Sequence, residues 1–208
     1  MFYEPDKRNH GLPRDPFKAL VVPRPIGWIS TVDTAGRPNL APYSFYNAVA
    51  SDPPVVLFGT GLGPGRKPGD DAIKDSQRNA EATGEFVVNM VTDGLLDAMN
   101  RTSAHLPHGS SEFEVAGLET VPSQLVQAPR VKASPVHLEC RYLQTVEMPC
   151  TTPGGRNFVV FGRVVGIHID ERVLKDGFVD IALLRPLARL GYMEYCLVDK
   201  SFSLDRPD

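Results

Sequence analysis

The sequence predicts a mainly β chain, an antiparallel barrel or sandwich with a few flanking helices. Short apolar runs rich in Val, Ile, Phe and Tyr recur between Gly, Pro, Asn and Asp turn signals. Helical spacing is confined to two short stretches, 71–83 and 95–101. No Gly-x-Gly-x-x-Gly follows a strand, which argues against a doubly wound nucleotide fold.

Residues 1–22 hold many charges and prolines with little apolar periodicity, and read as an arm packed on the domain or on a partner; 23–208 then form a single domain. Residues 27–33 and 38–43 flank Asp33-Thr34-Ala35-Gly36-Arg37, the pattern of a β-hairpin. Residues 54–59 are a continuous apolar run, as in a central strand. Residues 60–71 are a polar loop with several glycines and prolines but no phosphate-loop order. In 71–83 Ala72, Ile73, Ala80 and Ala82 share a helix face; Asp75 or Ser76 can cap the segment from Gln77 onward and Gly84 stops it. A strand over 85–91, a short helix over 95–101 and an irregular stretch over 102–114 follow. Two long strands, 136–146 and 157–169, enclose a turn at 149–155, with 158–166 the clearest strand of the chain; the tail 187–195 holds Arg189, Gly191 and Tyr192.

A length of 208 residues supports one sizeable core, and 42% hydrophobic with 23% charged residues is ordinary globular composition. A net charge of −3 argues against non-specific nucleic-acid binding, which needs a basic face. No apolar run reaches the roughly 18 residues of a membrane helix. The polar Met1–Lys7 segment lacks a signal-peptide core, so the expected location is cytoplasmic. Cys140, Cys150 and Cys196 are odd in number and lack metal-ligand spacing, which disfavours a disulfide scaffold or a zinc site; Cys140, in an apolar run, reads as a buried inert thiol. His10, His105, His108, His137 and His168 show no metal or catalytic spacing, and no Gly-x-Ser-x-Gly occurs.

Four places can carry a ligand. Ser44, Phe45, Tyr46 and Asn47, with Ser51, follow a strand at a sharp turn; small polar groups beside aromatics can bond the edge of a flat heterocycle and cover its face, or simply satisfy a turn. Lys74, Asp75 and Ser76 stand at the expected helix start, where N–H groups, a full positive charge and a hydroxyl suit a phosphate monoester, or cap a surface helix. Trp28 and Ser30 share one strand face and Ile29 and Thr31 the other, so one of the two pairs should line a pocket. Arg189 is a cation near the C-terminus that can equally be a solvated ion-pair former.

Taken in order, seven segments resemble the flavin reductase-like, flavoredoxin-like FMN-binding split-barrel family. They are Arg24-Pro25-Ile26-Gly27-Trp28-Ile29-Ser30-Thr31, Asn39-Leu40-Ala41-Pro42-Tyr43-Ser44-Phe45-Tyr46-Asn47, Asp52-Pro53-Pro54, Lys74-Asp75-Ser76, Thr83-Gly84-Glu85-Phe86-Val87-Val88-Asn89, Ser134-Pro135-Val136-His137-Leu138-Glu139-Cys140 and Ala188-Arg189-Leu190-Gly191-Tyr192. The resemblance implies a six-stranded Greek-key split barrel and a homodimer with FMN near the subunit interface. It implies that Trp28–Thr31 and Ser44–Asn47 line the isoalloxazine and ribityl chain, that Lys74 and Ser76 hold the phosphate, and that Arg189 approaches the flavin. Its implied activity is transfer of electrons from NAD(P)H or another donor through FMN to an acceptor, with no side chain required as acid or base; the alternative is an FMN electron carrier that does not use NAD(P)H. Ser76 stands where the family often has Thr, and Tyr46 where it often has Phe. The insertion at 61–70 is longer than expected, and Tyr192 replaces a frequent second glycine.

Overall fold

The computed structural model describes residues 1–62, 73–104 and 111–207. The expected glycine-rich loop falls largely on 63–72, outside the described residues, as do His105 and His108. Ten strands matter here. They are β1 (Arg24–Pro25), β2 (Gly27–Val32), β3 (Pro38–Tyr43), β4 (Tyr46–Ser51), β5 (Pro54–Leu62), β6 (Glu85–Met90), β7 (Val136–Met148), β8 (Arg156–Ile169), β9 (Leu187–Arg189) and β10 (Tyr195–Leu197). Seven form one antiparallel sheet in the order β3-β2-β6-β7-β8-β5-β4, and β1-β9-β10 form a small second sheet.

The ends of the large sheet, β3 and β4, are consecutive in the chain but are not hydrogen-bonded to each other. The sheet curls until they meet. Tyr46 lies against Gly27, where an added Cβ would stand 2.7 Å from the ring, and the Tyr43 ring at the end of β3 is centred 5.0 Å from the Phe58 ring of β5. The result is a barrel with an open seam at Ser44–Asn47. The sheet has seven strands where six were expected, because 46–51 stays extended instead of forming only a turn; the bend is confined to Ser44 and Phe45.

The first hairpin pairs Trp28 with Pro42, its turn held by the Asp33 carboxylate, which accepts the Ala35 and Arg37 N–H groups. A short helix of the N-terminal arm, α1 (Phe17–Leu20), precedes the sheet; the barrel interior is filled by Ile29, Phe58, Phe86, Cys140 and Val160, and α2 (Asp75–Thr83) contributes Ala80. On the opposite face of β2, Trp28 and Leu40 pack with Met99 of α3 (Leu96–Arg101) and Phe113 of α4 (Glu112–Ala116). β2 is therefore buried on both faces, by α2 with the barrel interior on one side and by the α3–α4 layer on the other. The irregular stretch ends earlier than expected, since α4 begins at Glu112. Cys140 is buried, and burial pushes its thiol far up, as expected of an inert cysteine.

The β7–β8 hairpin carries a register shift at Phe161/Gly162. Gly162 is required there by space, because an added Cβ would lie 2.3 Å from Phe86 Cζ and 3.2 Å from Cys140 Cβ. Gly162→Ala is expected to cost about 2 kcal/mol by overpacking. Pairing it with Phe86→Leu should return part of that loss in thermal unfolding. Strictly additive losses would show that the ring is not the obstacle.

Candidate functional site

Trp28, Ile29, Ser30 and Thr31 have no exposed surface, and none of them lines the cavity described below. Their polar atoms are used inside the fold. The Trp28 indole N–H donates to Thr102 Oγ1 at 2.9 Å, Ser30 Oγ donates to the Pro129 carbonyl at 2.5 Å, and Asn79 Nδ2 donates to Thr31 Oγ1 at 3.1 Å. Ser30 and Asn89 fasten the segment from Pro129 to Val131, whose Val131 N–H donates to Asn89 Oδ1 at 2.7 Å.

The seam holds the second group. Ser44 is half-buried at the mouth of a cavity, and Phe45 is 45% exposed with the Arg24 guanidinium 5.9 Å from its ring centre. Tyr46 turns inward, and burial drives its phenol far above the usual range. Asn47 is exposed, and its Oδ1 accepts from the Ala48 N–H at 2.9 Å. Ser51 is not brought to this group. β4 runs extended from Tyr46 to Ser51, which at roughly 3.3 Å per residue puts Ser51 some 13 Å beyond Asn47.

The third group is the start of α2. Lys74 is the N-cap residue, in extended conformation with no side-chain capping bond. The helix is already formed at Asp75, so the cap position falls on Lys74 rather than on Asp75 or Ser76 as expected. The Asp75 carboxylate pairs with Arg78 at 2.5 Å. Ser76 is buried, and its hydroxyl accepts from Asn39 Nδ2 at 2.9 Å. Beside it, burial pushes the Tyr43 phenol up to about 12, the Ser76 contact acting the other way. Tyr43 thus joins the helix start to the seam, since Ser44 is the next residue. Gly84 ends α2 as expected, in the left-handed conformation with φ 75°.

Arg189, the fourth candidate, stands on β9, its guanidinium 4.3 Å from the Tyr195 ring centre. It shares with Ser44 a cavity of 610 Å³ between the N-terminal arm and the β9–β10 hairpin. Residues absent from the sequence reading complete this cavity, among them Phe17, Lys18 and Tyr195. They lie far apart in the chain; the one available signal was Arg24, a charge opening an apolar run.

An antiparallel barrel with an open seam, joined through one tyrosine to the start of α2, defines a split-barrel protein. Residues 19–189 match the model of the flavin reductase like domain, and the chain belongs to that family. It is similar to the uncharacterized protein BH2278 of Halalkalibacterium halodurans, 41% identical over 90% of this chain and 87% of that one. Among solved structures it is similar to nitrilotriacetate monooxygenase component B from Bacillus cereus, with TM-score 0.84, 31% identity and 98% of each chain covered. A Shewanella frigidimarina protein with a split barrel domain superposes over 100% of both chains with TM-score 0.81 at 23% identity, a likeness of fold.

Proposed function

We propose that this protein binds FMN and acts as a flavin-dependent oxidoreductase, passing electrons from NAD(P)H or another donor to an acceptor. The observation that carries the reading is the continuity of the α2 start with the seam through Ser76, Tyr43 and Ser44. A phosphate monoester fits the first end. Lys74 brings a positive charge, the first-turn N–H groups point outward, and Asp75 is engaged by Arg78. The buried Ser76 hydroxyl then holds Asn39 and Tyr43 in place behind the phosphate. A flat ring fits the second end, with Ser44 and Asn47 as polar edge groups and Phe45 as an exposed aromatic face. Trp28–Thr31 serve as the rigid floor under this groove.

Bound FMN would supply the redox chemistry, taking a hydride from the donor and returning electrons to the acceptor. The chain's own residues bind and orient it, and no side chain is assigned a proton-transfer role. The seam is open on one side, where Phe45 of the bend and Val49 of β4 are about half exposed. We propose that a second copy of the chain covers it in a homodimer; sedimentation at micromolar concentration should give twice the chain mass.

The deciding experiment is the visible spectrum of the protein with added FMN, followed by anaerobic NADH and NADPH. A perturbed flavin band that bleaches supports the reductase and names the donor. A perturbed band that stays yellow supports an electron carrier fed by another donor. An unperturbed band overturns FMN binding.

A further inference from the structure

Arg24 and Arg189 are direct partners across the β1–β9 ladder, so two guanidiniums are placed opposite one another. Like charges in that position destabilise a sheet unless a counter-charge arrives. Among the described residues, no carboxylate is bonded to either arginine. Arg24 donates to the carbonyls of Lys18, Val21 and Leu190, and Arg189 to that of Tyr192; neither pairs with a carboxylate. Arg24 is only 7% exposed, and its Nε–H has no acceptor.

Both arginines line the 610 Å³ cavity, and Lys18 adds a third cation. Asp15, which accepts the Phe17 N–H at 2.9 Å, is the one carboxylate among the described lining residues, and the three cations leave the lining net positive beside it. The remaining wall is largely apolar and aromatic, with Phe17, Tyr192 and Tyr195 around Ile26 and Met99. The wall is also held firmly. Gly191 lies so close to Ala19 that an added Cβ would stand 2.5 Å from the alanine Cβ, and Arg24 ties the arm to the hairpin through Leu190.

We propose that this cavity binds an organic anion with a flat apolar body, its charged group held by Arg189 and Lys18 and its body laid against Tyr192, Tyr195 and Phe17. A guanidinium fork matches a carboxylate or a phosphate, and the aromatic wall selects for a planar body. The binding claim stands without the flavin reading. Its further meaning rests on that reading: because Ser44 belongs to both cavity and seam, the anion would be the second substrate.

The test is calorimetric titration of the flavin-free protein with 2-naphthoate and with its neutral analogue 2-naphthalenemethanol. The carboxylate should bind at least roughly tenfold more tightly, as a charge-assisted contact gives. Added salt should shrink the margin, and Arg189→Gln or Lys18→Gln should abolish it while leaving the neutral compound's affinity unchanged. Thermal melting checks that each variant is folded, and Lys18→Gln, on the exposed arm, carries the reading if Arg189→Gln is not. Displacement of naphthoate by ADP-ribose would support the site and assign its anion to a nucleotide phosphate. Equal binding of the two naphthalenes, or binding of neither, overturns the proposal. Displacement by riboflavin, which carries the ring without a phosphate, overturns it too, since the cavity would then be the flavin's own seat. FMN binding, followed separately by absorption, leaves these outcomes unchanged whether it succeeds or fails.

Discussion

Lys74→Ala should bind FMN some ten- to a hundredfold more weakly than the parent protein while holding riboflavin as before, since a charge-assisted contact to phosphate contributes about 1.5–3 kcal/mol. Riboflavin differs from FMN only in lacking the phosphate, so the comparison isolates that end of the ligand. The helix start keeps its backbone N–H groups in the variant, which is why the loss is partial. Asp75, already paired with Arg78, adds no new repulsion. Fluorescence titration of both flavins against both proteins makes the measurement. Equal losses for the two would remove Lys74 from the phosphate site, and raised ionic strength should narrow the parent's preference for FMN.

The second large effect is a loss of stability in mild acid. His137 is 5% exposed; its Nε2 lies 2.9 Å from the Val131 carbonyl, and its Nδ1 has no partner. Burial lowers its pKa to about 4 from 6.5, and the charges of Arg130 and His168 act in the same direction; the Val131 contact and Glu139 oppose them. The folded state therefore keeps the ring neutral where the unfolded chain takes up a proton. Stability is fully present above about pH 6.5 and is lost as pH falls toward 4, by on the order of 3 kcal/mol. His137→Gln keeps a donor for Val131 but cannot titrate, so its unfolding free energy should be flat across that window. A slope as steep as the parent's would assign the acid sensitivity elsewhere. Glu139 acts lower. Burial raises its pKa, but the Gln124 N–H, His168 and the Leu125 N–H outweigh it and hold the carboxyl below its ordinary value. Its contribution is present above the unfolded carboxylate range and fades as pH falls through the folded pKa, so it should persist in His137→Gln.

The first hairpin was legible because Asp33-Thr34-Ala35-Gly36 is a strong turn signal between apolar runs, and the β7–β8 pair because its strands are long and β-branched. β4 was not legible. Asn47-Ala48-Val49-Ala50-Ser51 is an exposed edge strand, with no buried face to impose an alternating pattern. Ser30 and Thr31 entered the reading through their strand faces and the family resemblance, and neither showed where their hydroxyls bond inside the fold. Their partners, Pro129 and Asn79, lie 99 and 48 residues away, and only the folded chain brings them near. The cavity was hidden for the same reason, being assembled from the arm, β3, α3 and the terminal hairpin.

The double burial of β2 bears on how relatedness should be read in this family. A segment packed on both faces, with each polar atom tied to a distant partner, is constrained by stability at every position. Gly27-Trp28-Ile29-Ser30-Thr31 would therefore survive in a descendant that had abandoned the flavin altogether. Matching it diagnoses ancestry and architecture. On the FMN reading proposed above, the chemistry is better diagnosed by Lys74, Ser44 and Asn47, none of which is part of the buried core.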